Sequence, residues 1–278
     1  MSDVETIPTH DWNGDSGNRW AANLTRLDVM LEDFGRAAIA AADARPGEQI
    51  LDIGCGSGTS TFPLAEQVGP SGHVLGVDIS EQLVEIARAA VSAGMPVEFR
   101  CADAATAPLA AGNFDLLFSR FGVMFFDAPV AAFTHMRRAL KPGGRLAFVC
   151  WRGAQENDWV RLPMAAIRDI VQPAPADPNA PGPFAFGDRQ KVGNILSAAG
   201  FTAIDITPFD TSISYGRGAT REEAIDDALD MAFQAGPLSR ALANQSDDVR
   251  ANRRQLFARR SRNAPARRRC RSTARRGL

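Results

Sequence analysis

The segment Gln49-Ile50-Leu51-Asp52-Ile53-Gly54-Cys55-Gly56-Ser57-Gly58-Thr59 constrains this chain more than any other. A short apolar run holding one acid breaks into glycines at positions 54, 56 and 58. Such a run reads as a buried strand. Alternate glycines let the backbone turn sharply into a following helix and let a ligand approach the main chain closely. A strand, a glycine turn and a helix in this order suit a ligand with ribose, adenine or phosphate groups.

The residues on either side repeat the theme. Before it, Leu24, Leu27, Met30, Leu31 and Phe34 recur at helical spacing, and Ala37 to Ala44 read as a second short helix that Arg45-Pro46-Gly47 stops. After it, helix 59–68 closes at Gly69-Pro70, and strand 73–77 ends at Asp78. Ser80 is placed to cap a helix carrying Leu83, Ile86, Ala87 and Ala90. Strands at 96–100, 114–119 and 145–150 follow, with a helix over 130–140. Near-continuous apolar strands alternating with helices predict a doubly wound, mostly parallel α/β sheet covered on both faces.

Beyond Trp151 the pattern loosens. A helical segment, 159–171, runs into Pro173, Pro175, Pro178, Pro181 and Pro183, which forbid regular structure. A helix over 189–199, strands over 201–207 and 211–215 and a helix over 220–235 are expected next. The chain therefore divides into an N-terminal helical cap (1–46), a cofactor-binding core (47–151), a lid or substrate insertion (152–190), a C-terminal part of the core (191–252) and a tail (253–278).

Composition narrows the function classes. At 278 residues with 45% hydrophobic and 23% charged content, the chain has the material for a sizeable core. No apolar run approaches the ~18 residues of a membrane span, and the acidic start Met1-Ser2-Asp3-Val4-Glu5 does not read as a signal peptide. Four cysteines (Cys55, Cys101, Cys150, Cys270) form no CxxC pair and no metal-ligand pattern, so a reduced, cytoplasmic setting without metal is expected. Charge is uneven. Residues 253–278 hold eleven arginines and no acid, which leaves twenty bases against all 32 acids, a net of −12, on residues 1–252.

Three positions refine the ligand. The dinucleotide fingerprint asks for G-x-G-x-x-G, yet position 59 is Thr and the third glycine is Gly58. That spacing favours S-adenosylmethionine over a nicotinamide cofactor, because no pyrophosphate then needs cradling at the helix start. Asp78, twenty residues past Gly58, can accept both ribose hydroxyls of either cofactor. Asp103 follows the third strand, where it fits an adenine contact or a helix N-cap equally well.

These residues carry a resemblance. Leu51 to Gly58, Val77-Asp78-Ile79-Ser80, Ala102-Asp103-Ala104, Phe114 to Gly122 and Leu140 to Leu146 occur in the order and spacing of five motifs. In them the segment 50–151 resembles the class I S-adenosylmethionine-dependent methyltransferases, and more narrowly the branch of the ubiquinone/menaquinone C-methyltransferases. The resemblance implies a seven-stranded-type sheet and a cofactor site that includes Asp52 and Cys55. In that site Gly54, Gly56, Ser57 and Gly58 face the methionine portion and ribose. It implies that Asp78 takes the ribose hydroxyls, Ile79 lies against adenine, Asp103 and Ala104 hold the adenine edge, and Arg120 lies beside the methionine end. Arg120 departs from the small polar residue usual there. An arginine can instead pair with an acid such as Asp52 or reach an anionic acceptor.

Methyl transfer from a sulfonium asks mainly for a dry pocket that aligns the acceptor. Trp12, Trp20, Phe121, Phe125, Phe126, Trp151, Phe184 and Phe186 supply apolar material at the expected places, and the same residues serve equally as ordinary core. His10, His73, His135, Asp11 and Asp127 offer no convincing general base. The arginine-rich tail lacks the apolar alternation of the antiparallel strand that closes this fold. It therefore reads as an unstructured, non-functional end, with the last strand missing and the gene end altered near Asn252. The expected activity is methyl transfer to a small, fairly apolar acceptor at carbon, oxygen or nitrogen. The alternatives are a nicotinamide-dependent oxidoreductase, a nucleic-acid methyltransferase using the basic tail, and an inactive homologue that still binds cofactor.

Overall fold

The computed structural model describes residues 11–167, 180–234, 236, 238–239 and 271–277. Helices α1 (Asp15–Ala22) and α2 (Leu24–Ala42) precede strand β1 (Gln49–Ile53). Then come α3 (Thr61–Val68), β2 (His73–Asp78), α4 (Glu81–Ala89), β3 (Val97–Cys101), β4 (Phe114–Arg120), α5 (Pro129–Arg137) and β5 (Leu140–Trp151). The remaining elements are α6 (Asp158–Ile167), α7 (Arg189–Ala198), β6 (Ile206–Ser212), α8 (Arg221–Gln234) and β7 (Arg271–Gly277).

The strands lie in the order β3-β2-β1-β4-β5-β7-β6. The first five pair in parallel, and β7 runs antiparallel to β5. Their apolar runs explain the arrangement. Ile50, Leu51, Leu116, Leu117 and Phe118 are wholly buried, which is only achieved when helices cover both faces. The chain lays β2 and β3 to one side of β1 and then returns to lay β4 and β5 on the other. The direction of winding thus reverses between β1 and β4, and the crevice beyond their carboxyl ends is where such sheets hold ligands.

Three elements differ from the sequence expectation. The two helices expected before β1 are one, because the helix continues through Gly35. There the absent side chain makes room: a Cβ on Gly35 would lie 3.1 Å from Cδ of Arg120. Strands expected at 201–207 and 211–215 are one strand, β6. Residues just before it form a turn, with Phe201 N–H donating to Leu196 O (3.0 Å) and Ala203 at φ 54°, so extended backbone starts only at Ile206.

The third difference is the closing strand. It is present, formed by Arg271–Gly277, with Ala274 to Gly277 opposite Trp151 to Phe148. Its pairing is made by main-chain groups, for which apolar alternation is not required. β5 is buried from Leu146 to Trp151, and its outer edge needs partners for every N–H and C=O. The expected proline-rich stretch at 173–178 and tail residues 253–270 lie outside the described residues, as does His10.

At the amino ends of the strands, Arg145 ties α2 to the sheet. Its guanidinium donates to Ala42 O (2.8 Å), Asp43 O (2.6 Å) and both oxygens of Glu48 (2.7 and 2.8 Å). The last carbonyls of α2, left without intrahelical donors, are satisfied in this way. Burial pushes the Glu48 carboxyl up, but the Arg145 hydrogen bonds and charge outweigh it and hold it below the ordinary value.

Two compact units emerge from the packing. One comprises Met1–Gly153, Pro178–Phe209 and Ala274–Leu278; the other comprises Ala154–Asp177 and Asp210–Thr273. Every candidate site residue belongs to the first. Among the described residues no helix is long and apolar enough to cross a membrane.

Candidate cofactor site

The glycine turn leaves β1 at the point where the winding reverses. Gly54, Gly56 and Gly58 have φ of 67°, 54° and 87°, in the left-handed region that favours glycine. Gly54 is also fixed by contact: a Cβ there would lie 2.8 Å from Cα of Gly122, in the loop after β4. Ser119 holds that loop in place, its Oγ donating to Ile53 O (2.8 Å) and accepting from Gly122 N–H (3.1 Å). The exits of β1 and β4 are thereby locked together main chain to main chain.

Asp78 stands at the end of β2. Its Oδ2 accepts from Gly56 N–H and its Oδ1 from Ser80 N–H, both at 2.8 Å. Burial raises its pKa. Each oxygen accepts one N–H, which leaves lone pairs for a diol. Ile79, the next residue, is 45% exposed and offers a flat apolar surface beside Asp78. Asp103 lies exposed after β3, with Oδ1 taking Ala105 N–H (2.8 Å); Ala104 is buried beneath it. An acid, an apolar face and a second acid follow one another along the carboxyl ends of β2 and β3. This donor and acceptor set matches the ribose and adenine of S-adenosylmethionine.

Asp52 faces the other way. It is fully buried in β1, where Oδ2 accepts from Ser60 Oγ (2.8 Å) and Thr61 Oγ1 (2.7 Å) and Oδ1 has no partner. Burial lifts its pKa to about 6 against these hydrogen bonds and the Arg120 charge. Cys55 also turns inward, into a cluster with Val84, Ala87 and Phe99, and its thiol is pushed far up by burial. At these two positions the main chain, not the side chain, belongs to the turn.

Arg120 does not pair with Asp52. Its Nη2 donates to Asp28 Oδ1 (2.9 Å), on the helix that precedes the sheet. Asp28 Oδ2 accepts from Thr59 Oγ1 (3.0 Å), which lies 3.3 Å from Ser57 Oγ. Sequence reasoning missed Asp28 and took Thr59 only as an absent glycine. The available signal was an acid beside the apolar stripe Leu24, Leu27, Leu31, facing a sheet whose fourth strand ends in arginine.

The aromatic residues separate into three groups. Trp12 meets Trp20 and Phe125 edge-on, with centroids 5.8 and 5.1 Å apart, and all three are half-buried. Phe121 stacks on Trp151 at 4.5 Å and 21°, and both meet Phe34 edge-on. These rings are buried, and Phe121 holds φ 62°, a strained value for a residue with a side chain. Phe186 is core, packed on Phe133 and Phe148, whereas Phe184 is half-buried and Phe126 meets Phe133.

The base candidates have other work. His135 Nε2 is 2.8 Å from Ala107 O, Asp11 caps Asn13 N–H (3.1 Å), His73 begins β2 at the far end of the strand, and Asp127 is exposed. No cluster of metal ligands occurs among the described residues.

Residues 50–144 match the methyltransferase domain family. The chain is 32% identical over 186 residues to nocamycin O-methyltransferase of Saccharothrix syringae, covering 63% of this chain and 66% of that one. It is 36% identical over 109 residues to the ubiquinone/menaquinone biosynthesis C-methyltransferase UbiE of Cupriavidus metallidurans, covering 39% and 45%. The match thus spans two thirds or less of these relatives' lengths. In fold it is similar to a chain of the complex between the Haloferax volcanii Trm112 methyltransferase activator and a putative methyltransferase. That likeness has a TM-score of 0.57 at 16% identity and covers 96% of this chain and 97% of the other. Residues 50–144 of this chain are thus a methyltransferase domain, and they lie in a sheet of the Rossmann-like type.

Proposed function

We propose that this protein transfers a methyl group from S-adenosylmethionine to a small, fairly apolar acceptor at a carbon, oxygen or nitrogen atom. The observation that carries the reading is the run of Gly56, Asp78, Ile79 and Asp103 along the carboxyl ends of the strands, beside the reversal of the sheet. In this reading Gly54, Gly56, Ser57 and Gly58 line the methionine portion and ribose. Asp78 accepts the ribose hydroxyls, Ile79 lies against adenine, and Asp103 with Ala104 holds its edge.

The bound cofactor supplies a methyl group already activated on a sulfonium. What the protein adds is alignment and dryness, since charge disperses in such an in-line displacement. The interlocked exits of β1 and β4 fix the turn, so no reorganisation is needed when the acceptor arrives. Trp12, Trp20, Phe125 and Phe184, half-buried and apolar, are our candidates for lining the acceptor pocket, whereas Phe121, Trp151 and Phe186 are buried. No catalytic base is assigned. A cytoplasmic setting suits Cys55, Cys101 and Cys150, which form no disulfide. The basic tail is not assigned a nucleic-acid partner.

The test is transfer of a labelled methyl group from S-adenosylmethionine to quinone, phenol and amine acceptors. Label in at least one small acceptor is expected. Label in RNA or DNA alone, with loss at raised salt, would overturn the reading.

A further inference from the structure

The segment that leaves β3 is held in place by a histidine from another part of the chain. Residues 102–113 run from β3 to β4, so they must cross β2 and β1, and they form no helix on the way. Main-chain groups secure the two ends. Ala102 N–H donates to Asp78 O (2.9 Å), and Gly112 and Asn113 N–H donate to Arg138 O (3.0 Å) and Ala139 O (2.8 Å). Among the described residues, the middle is held by a side chain from outside the segment at one point, where His135 Nε2 lies 2.8 Å from Ala107 O. A carbonyl only accepts, so Nε2 carries the proton. Ala107 is buried, and its carbonyl needs that donor. The histidine is itself well anchored, because Ala132, Phe133 and Met136 bury the inner face of α5.

The tie acts on Asp103 through a short turn. Ala107 and Thr106 N–H both donate to Asp103 O (2.7 and 3.1 Å), and Asp103 Oδ1 accepts from Ala105 N–H (2.8 Å). This turn is a closed unit, with Asp103 at one end and the carbonyl gripped by His135 at the other. Oδ1 is engaged within the turn, which leaves Oδ2 to face a ligand. Asp103 is exposed on a stretch without helix or strand. A carboxylate in such a place discriminates between ligands only when its main chain is fixed, since a mobile one follows whatever binds.

We infer that His135 is a positioning residue for adenine selectivity: by gripping Ala107 it holds the Asp103 carboxylate where it accepts from the 6-amino group of the purine. This rests on the cofactor reading proposed above. A purine with a carbonyl at that position presents an acceptor to an acceptor and gains nothing from Asp103.

The test is calorimetric binding of S-adenosylhomocysteine and of S-inosylhomocysteine, in which a carbonyl replaces the 6-amino group. The wild type is expected to prefer S-adenosylhomocysteine by roughly 10- to 100-fold, the effect of one charge-assisted hydrogen bond. His135→Leu should cut that preference by roughly fivefold, weakening S-adenosylhomocysteine while S-inosylhomocysteine stays within about twofold of the wild type. His135→Gln, whose Nε2 is a donor of similar reach, should restore the preference. A residue that merely stabilised the fold would weaken both ligands alike. In Asp103→Asn the preference should already be lost, and adding His135→Leu should change it no further. An unchanged preference in His135→Leu, equal losses for both ligands, or no preference in the wild type overturns the inference. A wild-type protein that binds neither ligand would instead sink the cofactor reading on which it depends.

Discussion

Asp52 offers the sharpest test of the physical account of the turn. Its carboxyl is fully buried, takes two hydroxyl donors on one oxygen and none on the other, and titrates near pH 6 rather than at its ordinary 3.8. Folding therefore disfavours the ionised form. Between pH 3.8 and about 6 the native state binds a proton that the unfolded chain has lost, so stability falls as pH rises across that window and the loss is complete above it. At 1.36 kcal/mol per pH unit, the penalty at neutral pH is roughly 3 kcal/mol. Asp52→Asn keeps an acceptor oxygen for Ser60 and Thr61 and removes the titration. Urea unfolding of both proteins from pH 4 to pH 8 should show the variant gaining on the wild type by roughly 2.5 kcal/mol, with equal m-values. Subtraction cancels the other titrating groups. A stability difference that stays flat across this range would show that folding does not shift the Asp52 titration.

Other perturbations follow from the same contacts. Gly54→Ala puts a methyl group 2.8 Å from Gly122 Cα at a left-handed position. It should cost roughly 2–4 kcal/mol in denaturant unfolding and abolish S-adenosylhomocysteine binding. Arg145→Met frees the carbonyls of Ala42 and Asp43 and leaves Glu48 with the Arg45 N–H but no guanidinium, so a loss of roughly 2–3 kcal/mol is expected at pH 7. That loss should shrink as pH falls through the range where Glu48 is protonated, because the held-down carboxyl contributes only while ionised. Removing residues 271–278 leaves four β5 positions without main-chain partners; at roughly 1 kcal/mol each, the melting temperature should drop by roughly 8 °C or more.

The cofactor half of the molecule was open to reading because its constraints are local. A glycine turn after a buried strand admits few conformations, and Asp78 and Asp103 each sit at the end of a strand whose apolar run marks its own limit. What escaped depends on distant parts of the chain. The partner of Arg120 is Asp28 rather than Asp52 because α2 passes over β4 at Gly35, and no spacing in the sequence records that crossing. Cys55 sits in the motif, yet the left-handed turn aims its side chain into the core. β7 was invisible to apolar periodicity because the edge of β5 recruits main-chain groups, and arginines carry those as well as valines do. The aromatic residues were found as a set, but which of them pack as core and which stay half-exposed depends on neighbours such as Phe34 and Phe133.

We propose the turn at Gly54 to Gly58, with Asp78 and Asp103, as the site for S-adenosylmethionine. Calorimetric titration of the wild-type protein with S-adenosylhomocysteine and, separately, with NAD tests it most directly. Saturable one-to-one binding of S-adenosylhomocysteine and no heat with NAD is the result expected. Saturable binding of NAD with none of S-adenosylhomocysteine would contradict it.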